Sequence, residues 1–209
     1  MANKLYSKVM SKSKHLDTAT TEEDTEEHDT GSEFVKIIDN SIYFCAVVDS
    51  VSILTLITSI KSLTKEHLIT SIKYDIEPPP IKLYINSDGG ELHSALAAFD
   101  IIQNNKVPIH TIITGTACSA ATIISLAGQT RKITKNSYML IHNISSEFWG
   151  KMHEFEDEMK NMEMLTDNIK TIYKQNSNIN QKRLDKLLKK DLLMNADTCL
   201  KLNLVDDII

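Results

Sequence analysis

The chain is short of the features that define several large functional classes. Its three cysteines, Cys45, Cys118 and Cys199, are an odd number without a close pair, which argues against a disulfide framework or a cysteine-based metal site and suits a reducing compartment, with the cytoplasm as the default. No stretch approaches about 18 uninterrupted apolar residues, and Met1 to His15 alternates lysine and serine without an apolar core. Neither a membrane span nor a secretion signal is expected. Basic residues are scattered and the net charge is −5, so no electrostatic footprint for nucleic acid is present. His15, His28, His67, His93, His110 and His153 have no partners at metal-ligand spacing, and no phosphate-loop motif occurs. No metal and no nucleotide cofactor is expected.

What the chain does contain is enough for one substantial core: 209 residues, 42% of them hydrophobic and 24% charged. Residues 1 to about 33 are polar, and Asp17 to Glu33 holds eight acids and no Lys or Arg, the composition of a disordered acidic tail. From Phe34 to Ile209 the pattern becomes that of a folded domain. The spacing predicts a strand over Ile42 to Val48 and a helix over Val51 to Lys65, then an irregular stretch ending at Pro78-Pro79-Pro80. A strand Ile81 to Ile85, a helix Leu92 to Asn104, a strand Ile109 to Ile113 and a helix Ser119 to Ala127 follow. Short strands near Lys132 to Thr134 and Tyr138 to Ile141 come next. Strand and helix alternate, so the fold class is α/β.

Met152, Phe155, Met159, Met162, Leu165, Ile169 and Ile172 recur at helical spacing with acids and lysines between them, predicting one long amphipathic helix over residues 151 to 175. At about 1.5 Å per residue such a helix exceeds what a domain of this size needs to cap its core. Part of its stripe could meet another subunit, and packing within one domain is the alternative. Helices over Lys182 to Lys190 and Ala196 to Leu202 and a strand Val205 to Ile209 close the chain.

Ser119, His142 and Asp191 stand in an order and at separations that fit a serine-protease triad. Ser119 lies in Gly115-Thr116-Ala117-Cys118-Ser119-Ala120-Ala121, between a strand and an apolar helix, where a nucleophile is held on a tight turn beside free backbone N–H groups. A serine hydroxyl needs a base within reach, and the base needs an acceptor that fixes its tautomer. His142 follows a buried strand and suits the first role. Asp191 suits the second; it closes the predicted Lys-rich helix, where its charge would oppose the helix dipole. Taken singly, each has an ordinary alternative: a helix cap, a structural histidine, a solvated acid. A second constellation, Ile85-Asn86-Ser87-Asp88-Gly89-Gly90, breaks a strand into a glycine turn, from which the Gly90 N–H could stabilise an oxyanion together with that of Ala120. Cys118 is the rival nucleophile, with no base other than the one assigned to Ser119.

In these residues the chain resembles the Clp protease proteolytic subunit. That family has Ile-Asn-Ser-Pro-Gly-Gly in its oxyanion loop, Gly-x-Ala-Ala-Ser-Met-Gly around its nucleophile and Asn-Ser, three residues, then Ile-His before its base. The matches here are Ile85 to Gly90, Gly115 to Ala121 and Asn136 to His142, with Leu204-Val205-Asp206-Asp207-Ile208 similar to the family's close. Asp88 stands where the family has proline, Ala120 and Ala121 where it has Met and Gly, and Asn143-Ile-Ser-Ser-Glu-Phe-Trp149 where it has Gln-Pro and a glycine-rich strand. The resemblance implies a Clp protease (crotonase-like) fold, with a head domain and a long handle helix over about residues 150–175. It further implies stacked heptameric rings of identical subunits and polypeptide substrates delivered by an ATP-driven AAA+ unfoldase, the subunit itself binding no ATP. Catalytic Ser119, His142 and Asp191, with Gly90 and Ala120 as the oxyanion hole, would cleave peptide bonds through an acyl-enzyme. Two alternatives stand beside this reading: a catalytically impaired structural subunit of a mixed Clp ring, and a crotonase-type acyl-CoA enzyme on the same fold.

Overall fold

The computed structural model describes residues 34–209; the expected acidic tail over residues 1–33 lies outside them. Two short strands, β1 (Val35–Ile38) and β2 (Ser41–Phe44), form an antiparallel pair and lead into α1 (Ser50–Tyr74). The first turn of α1 is closed reciprocally, the Asp49 carboxylate accepting from the Ser52 N–H at 2.7 Å and the Ser52 hydroxyl accepting from the Asp49 N–H at 3.1 Å. Ile53, Leu56, Ile60 and Leu63 form its buried stripe.

This helix runs nine residues beyond the Lys65 end expected from the sequence. No glycine or proline intervenes before Pro78, Leu68 packs on the core, and the buried His67 donates from Nδ1 to the Pro79 carbonyl at 2.7 Å. The tertiary contact carries the helix past the point where its apolar periodicity fades. It ends where Asp75 turns left-handed, at φ 51°.

Strand β3 (Ile81–Ser87), helix α2 (Leu92–Gln103), strand β4 (Ile109–Cys118), helix α3 (Ala120–Leu126) and strand β5 (Thr130–Ile133) continue the alternation. Then come β6 (Tyr138–Leu140), the long helix α4 (Met152–Gln175), α5 (Gln181–Leu187), β7 (Leu193–Asn195), α6 (Ala196–Lys201) and β8 (Asp207–Ile208). The sheet order is β1-β2-β3-β4-β5-β8, parallel from β2 onward. One face of the sheet carries the core: Ile81, Leu83, Ile85, Ile109 and Ile113 are each at most 2% exposed, while Lys82 and Asn86, at alternate positions of β3, are exposed. The expected α/β class is found.

Strand β4 is twice the predicted length because it serves two partners. Its first half pairs with β5, while Thr116, Ala117 and Cys118 pair with Tyr138, Met139 and Leu140 of β6. The Thr114-Gly115-Thr116 interruption hides that continuation from a reading of apolar pattern. Strand β6 pairs in turn with β7, antiparallel, with Leu140 opposite Leu193. Strands β1 and β7 were not expected from the sequence, being short and, in β7, alternating around a single buried residue, Met194.

The long helix is present as α4, but its ends differ. Ile169, Ile172 and Tyr173 near its C-terminus are buried in the core, whereas Met152, Phe155 and Met159 are exposed. Beyond it, Arg131 ties β5 to the close of the chain, its Nη2 lying 2.5 Å from Asp206 Oδ1 and its Nη1 donating to the Asn176 carbonyl just past α4.

Candidate active site

The site forms where β4 splits its pairing. Cys118 ends the strand, and Ser119 takes φ 53° and ψ −124° before α3 begins. A non-glycine residue there costs on the order of 1–3 kcal/mol and persists only when its surroundings over-determine it. The restraints are visible: the Ser119 N–H donates to the Leu140 carbonyl at 2.8 Å, and the Ser119 carbonyl accepts from the Thr122 N–H at 3.0 Å and the Thr122 hydroxyl at 2.6 Å. The Ser119 side chain, at the helix N-cap position, makes no capping hydrogen bond. The simple capping role that the sequence left open is therefore not filled, and the hydroxyl stays available.

The glycine turn lies directly against this segment. A methyl group on Gly89 would sit 2.5 Å from the Cys118 carbonyl oxygen and 2.8 Å from Ser119 Cβ, at a φ of 96° that side chains disfavour. Val48 clamps the turn from the far side, donating to the Gly89 carbonyl at 2.8 Å and accepting from the Glu91 N–H at 2.7 Å. The N–H groups of Gly90 and Ala120 donate to no acceptor among the described residues. Both residues line one cavity of about 180 Å³ together with Ser119 and His142.

His142 follows β6 by two residues, and the antiparallel register with β7 brings Asp191 opposite it. Their separation is 3.2 Å from Nδ1 to Oδ1, with the His142 side chain 32% exposed and that of Asp191 80%. A hydrogen bond from the Asn143 N–H to the Leu188 carbonyl, 2.9 Å, fixes the two segments beside the pair. Asp191 does not close a helix, contrary to the sequence expectation: α5 ends at Leu187, and Asp191 lies in the extended stretch leading into β7. The carbonyl of Leu188 is taken by the Asn143 N–H instead of by another helical turn.

Burial first, and then the Asp88 carboxylate, push the Cys118 thiol above its ordinary range, against weaker opposing hydrogen bonds from Thr116 and Leu140. The thiol is thereby kept neutral, which weakens it as a rival nucleophile. Asp88 reaches the Thr116 hydroxyl at 3.4 Å. Reasoning from sequence did not single out Thr122 or Tyr173. Tyr173 lines the cavity and meets the Thr122 hydroxyl at 2.5 Å. Thr122, three residues after Ser119 in the first turn of α3, was the available signal, since a hydroxyl there readily bonds back to the turn. On the other flank, the segment after His142 and the outer half of α4 border a groove of about 950 Å³, lined by Ile144, Phe148, Phe155, Met159 and Met162 among others.

The same fold occurs in a solved structure of a ClpP1 mutant from Listeria monocytogenes, with a TM-score of 0.67 over 78% of this chain and 86% of that one, at 19% identity. Identity that low bears on the fold alone, which is the Clp protease/crotonase-like α/β fold. The Clp protease family model matches residues 40–209, and the chain belongs to that family. Among curated relatives, the "ATP-dependent Clp protease proteolytic subunit" of Deinococcus radiodurans is 32% identical over 131 residues, which cover 62% of this chain and 64% of that protein. The "ATP-dependent Clp protease proteolytic subunit 2" of Treponema denticola is 33% identical over 131 residues, covering 62% and 66%. The match thus spans just under two thirds of the length of these relatives.

Proposed function

We propose that this chain is a serine peptidase, the proteolytic subunit of an ATP-dependent Clp-type protease. The observation that carries the reading is the 3.2 Å pairing of His142 with Asp191 at the rim of a cavity that Ser119 also lines. Ser119 Oγ attacks the scissile carbonyl carbon while His142 Nε2 takes the hydroxyl proton; Asp191 holds the Nδ1 tautomer. The oxyanion of the tetrahedral intermediate is met by the Gly90 and Ala120 N–H groups, neither of which has an acceptor among the described residues. Collapse breaks the C–N bond, the leaving amine takes the proton from His142, and water then hydrolyses the acyl-enzyme by the same route.

Family membership supports an oligomer of identical subunits, in stacked heptameric rings with residues 150–175 as the handle, working in the cytoplasm with an AAA+ unfoldase on polypeptide substrates. Among the described residues no helix is long and apolar enough to cross a membrane.

The test is labelling of the purified protein with a fluorophosphonate, the adduct located by mass spectrometry, in wild type and His142→Ala. Labelling of Ser119 that depends on His142 is expected. A folded, oligomeric protein that takes no label would instead be a structural subunit of a mixed ring, the reading favoured by one specific feature: Asp88, in the oxyanion loop, places a carboxylate whose field reaches Cys118 beside the nucleophile.

A further inference from the structure

Tyr173 stands on the last turn of α4, 2% exposed, with its ring in the wall of the Ser119 cavity. Its hydroxyl meets the Thr122 hydroxyl at 2.5 Å, and the Thr122 hydroxyl meets the Ser119 carbonyl oxygen at 2.6 Å. Each hydroxyl has one proton to give. The carbonyl can only accept, so Thr122 donates to it, and Tyr173 must donate to Thr122. The direction of the chain is therefore fixed, from Tyr173 through Thr122 to the backbone of Ser119. Burial pushes the Tyr173 phenol far above its ordinary range, outweighing its bond to Thr122, so the donor proton is retained at any working pH.

We infer that Tyr173 is a positioning residue for the nucleophile: through Thr122 its hydroxyl holds the Ser119 carbonyl, and with it the left-handed turn that presents Ser119 to the cavity. The inference rests on the reading of Ser119 as the nucleophile. The turn is gripped from three elements at once. The start of α3 supplies the Thr122 N–H, the end of β6 supplies the Leu140 carbonyl next to His142, and α4 supplies Tyr173. Two of these links, Leu140 and Tyr173, come from outside β4 and α3, the strand and helix that flank the turn, and Tyr173 supplies the side-chain one. Donors in series polarise one another, so removing the outermost hydroxyl weakens the bond that the inner one makes. If Thr122 instead served only as a local first-turn bond, Tyr173 would be packing alone and its hydroxyl would be dispensable.

The test uses the full chain in four variants: Tyr173→Phe, Thr122→Val, Thr122→Ser and the Tyr173→Phe/Thr122→Val double. Fluorophosphonate inactivation is resolved into probe affinity and limiting rate, and amide exchange is followed over residues 115–126. Tyr173→Phe keeps the ring and is expected to slow the limiting rate about fivefold, the worth of one net hydrogen bond, with probe affinity unchanged. Exchange at residues 119–122 should quicken. Thr122→Ser should stay near wild type, and the double variant should be no slower than Thr122→Val. Wild-type inactivation and exchange in Tyr173→Phe would overturn the inference, as would losses that multiply in the double variant. If wild type takes no label while Tyr173→Phe still quickens exchange, the tether stands and the catalytic reading falls.

Discussion

The two flanks of the cavity are built differently. On one side, Gly89, Ser119 and Thr122 are locked by backbone contacts and hydrogen bonds to β2–α1, β6 and α4, and Ala120 through Ala127 are buried. On the other, residues 143–151 form no strand or helix, Trp149 is 98% exposed, and Met152 and Met159 on α4 are 78% and 64% exposed. The first flank completes its geometry within one chain. The second holds apolar surface that this chain alone leaves in water, which the proposed assembly would cover. Reacting groups need fixed positions, whereas surfaces that meet a neighbour need only shape and apolar area.

The largest effect should come from breaking the rigid flank at its reacting atoms: Ser119→Ala or His142→Ala is expected to cut peptidase turnover by on the order of 10³ or more, read from a fluorogenic peptide. Retained turnover in either variant would end the triad assignment. Next is a pair of matched glycine changes. Gly89→Ala drives a methyl into the Cys118 carbonyl at a positive φ, and should cost about 2 kcal/mol or more in thermal unfolding. At Gly150 the nearest atoms are the movable ends of Glu154 and Phe148, and Gly150→Ala should change stability by less than about 0.5 kcal/mol. Equal losses would erase the distinction between the flanks.

A smaller effect is expected at the Arg131 clamp. Burial raises the Asp206 carboxyl, but the side-chain and backbone hydrogen bonds and the charge of Arg131 outweigh it and leave it below its ordinary range. A depressed carboxylate stabilises the fold above its unfolded pKa, and that contribution disappears as pH falls through the folded value. Asp206→Asn should therefore lower Tm at neutral pH, and the gap to wild type should close in acid; a gap independent of pH would refute the linkage. The smallest effect on the fold itself should follow charging of the open flank. Met159→Lys with Met162→Lys is expected to leave the Tm of the subunit nearly unchanged while reducing the assembled mass in sedimentation. An unchanged mass would mean that this face meets no neighbour.

Much of the site was legible because its residues sit at element ends with local signatures: a small-residue turn after a strand, a histidine after a strand, paired glycines. The length of α1 was not, since its last turns depend on His67 reaching Pro79 rather than on periodicity. Nor was the setting of Asp191, because a run of lysines with spaced leucines reads as continued helix until Leu188 is seen bonded to Asn143. Thr122 and Tyr173 carried no joint signal, lying on separate helices.

By itself the sequence determined the α/β alternation, the glycine turn and the ordered Ser119, His142 and Asp191, because periodicity and turn chemistry act over a few neighbouring residues. Only the tertiary structure decided that β4 would divide between β5 and β6, that the β6–β7 register would bring Asp191 to His142, and that a tyrosine from the long helix would reach the Ser119 turn through Thr122. Those outcomes depend on hydrogen bonds and packing between segments distant in the chain, which no local pattern encodes.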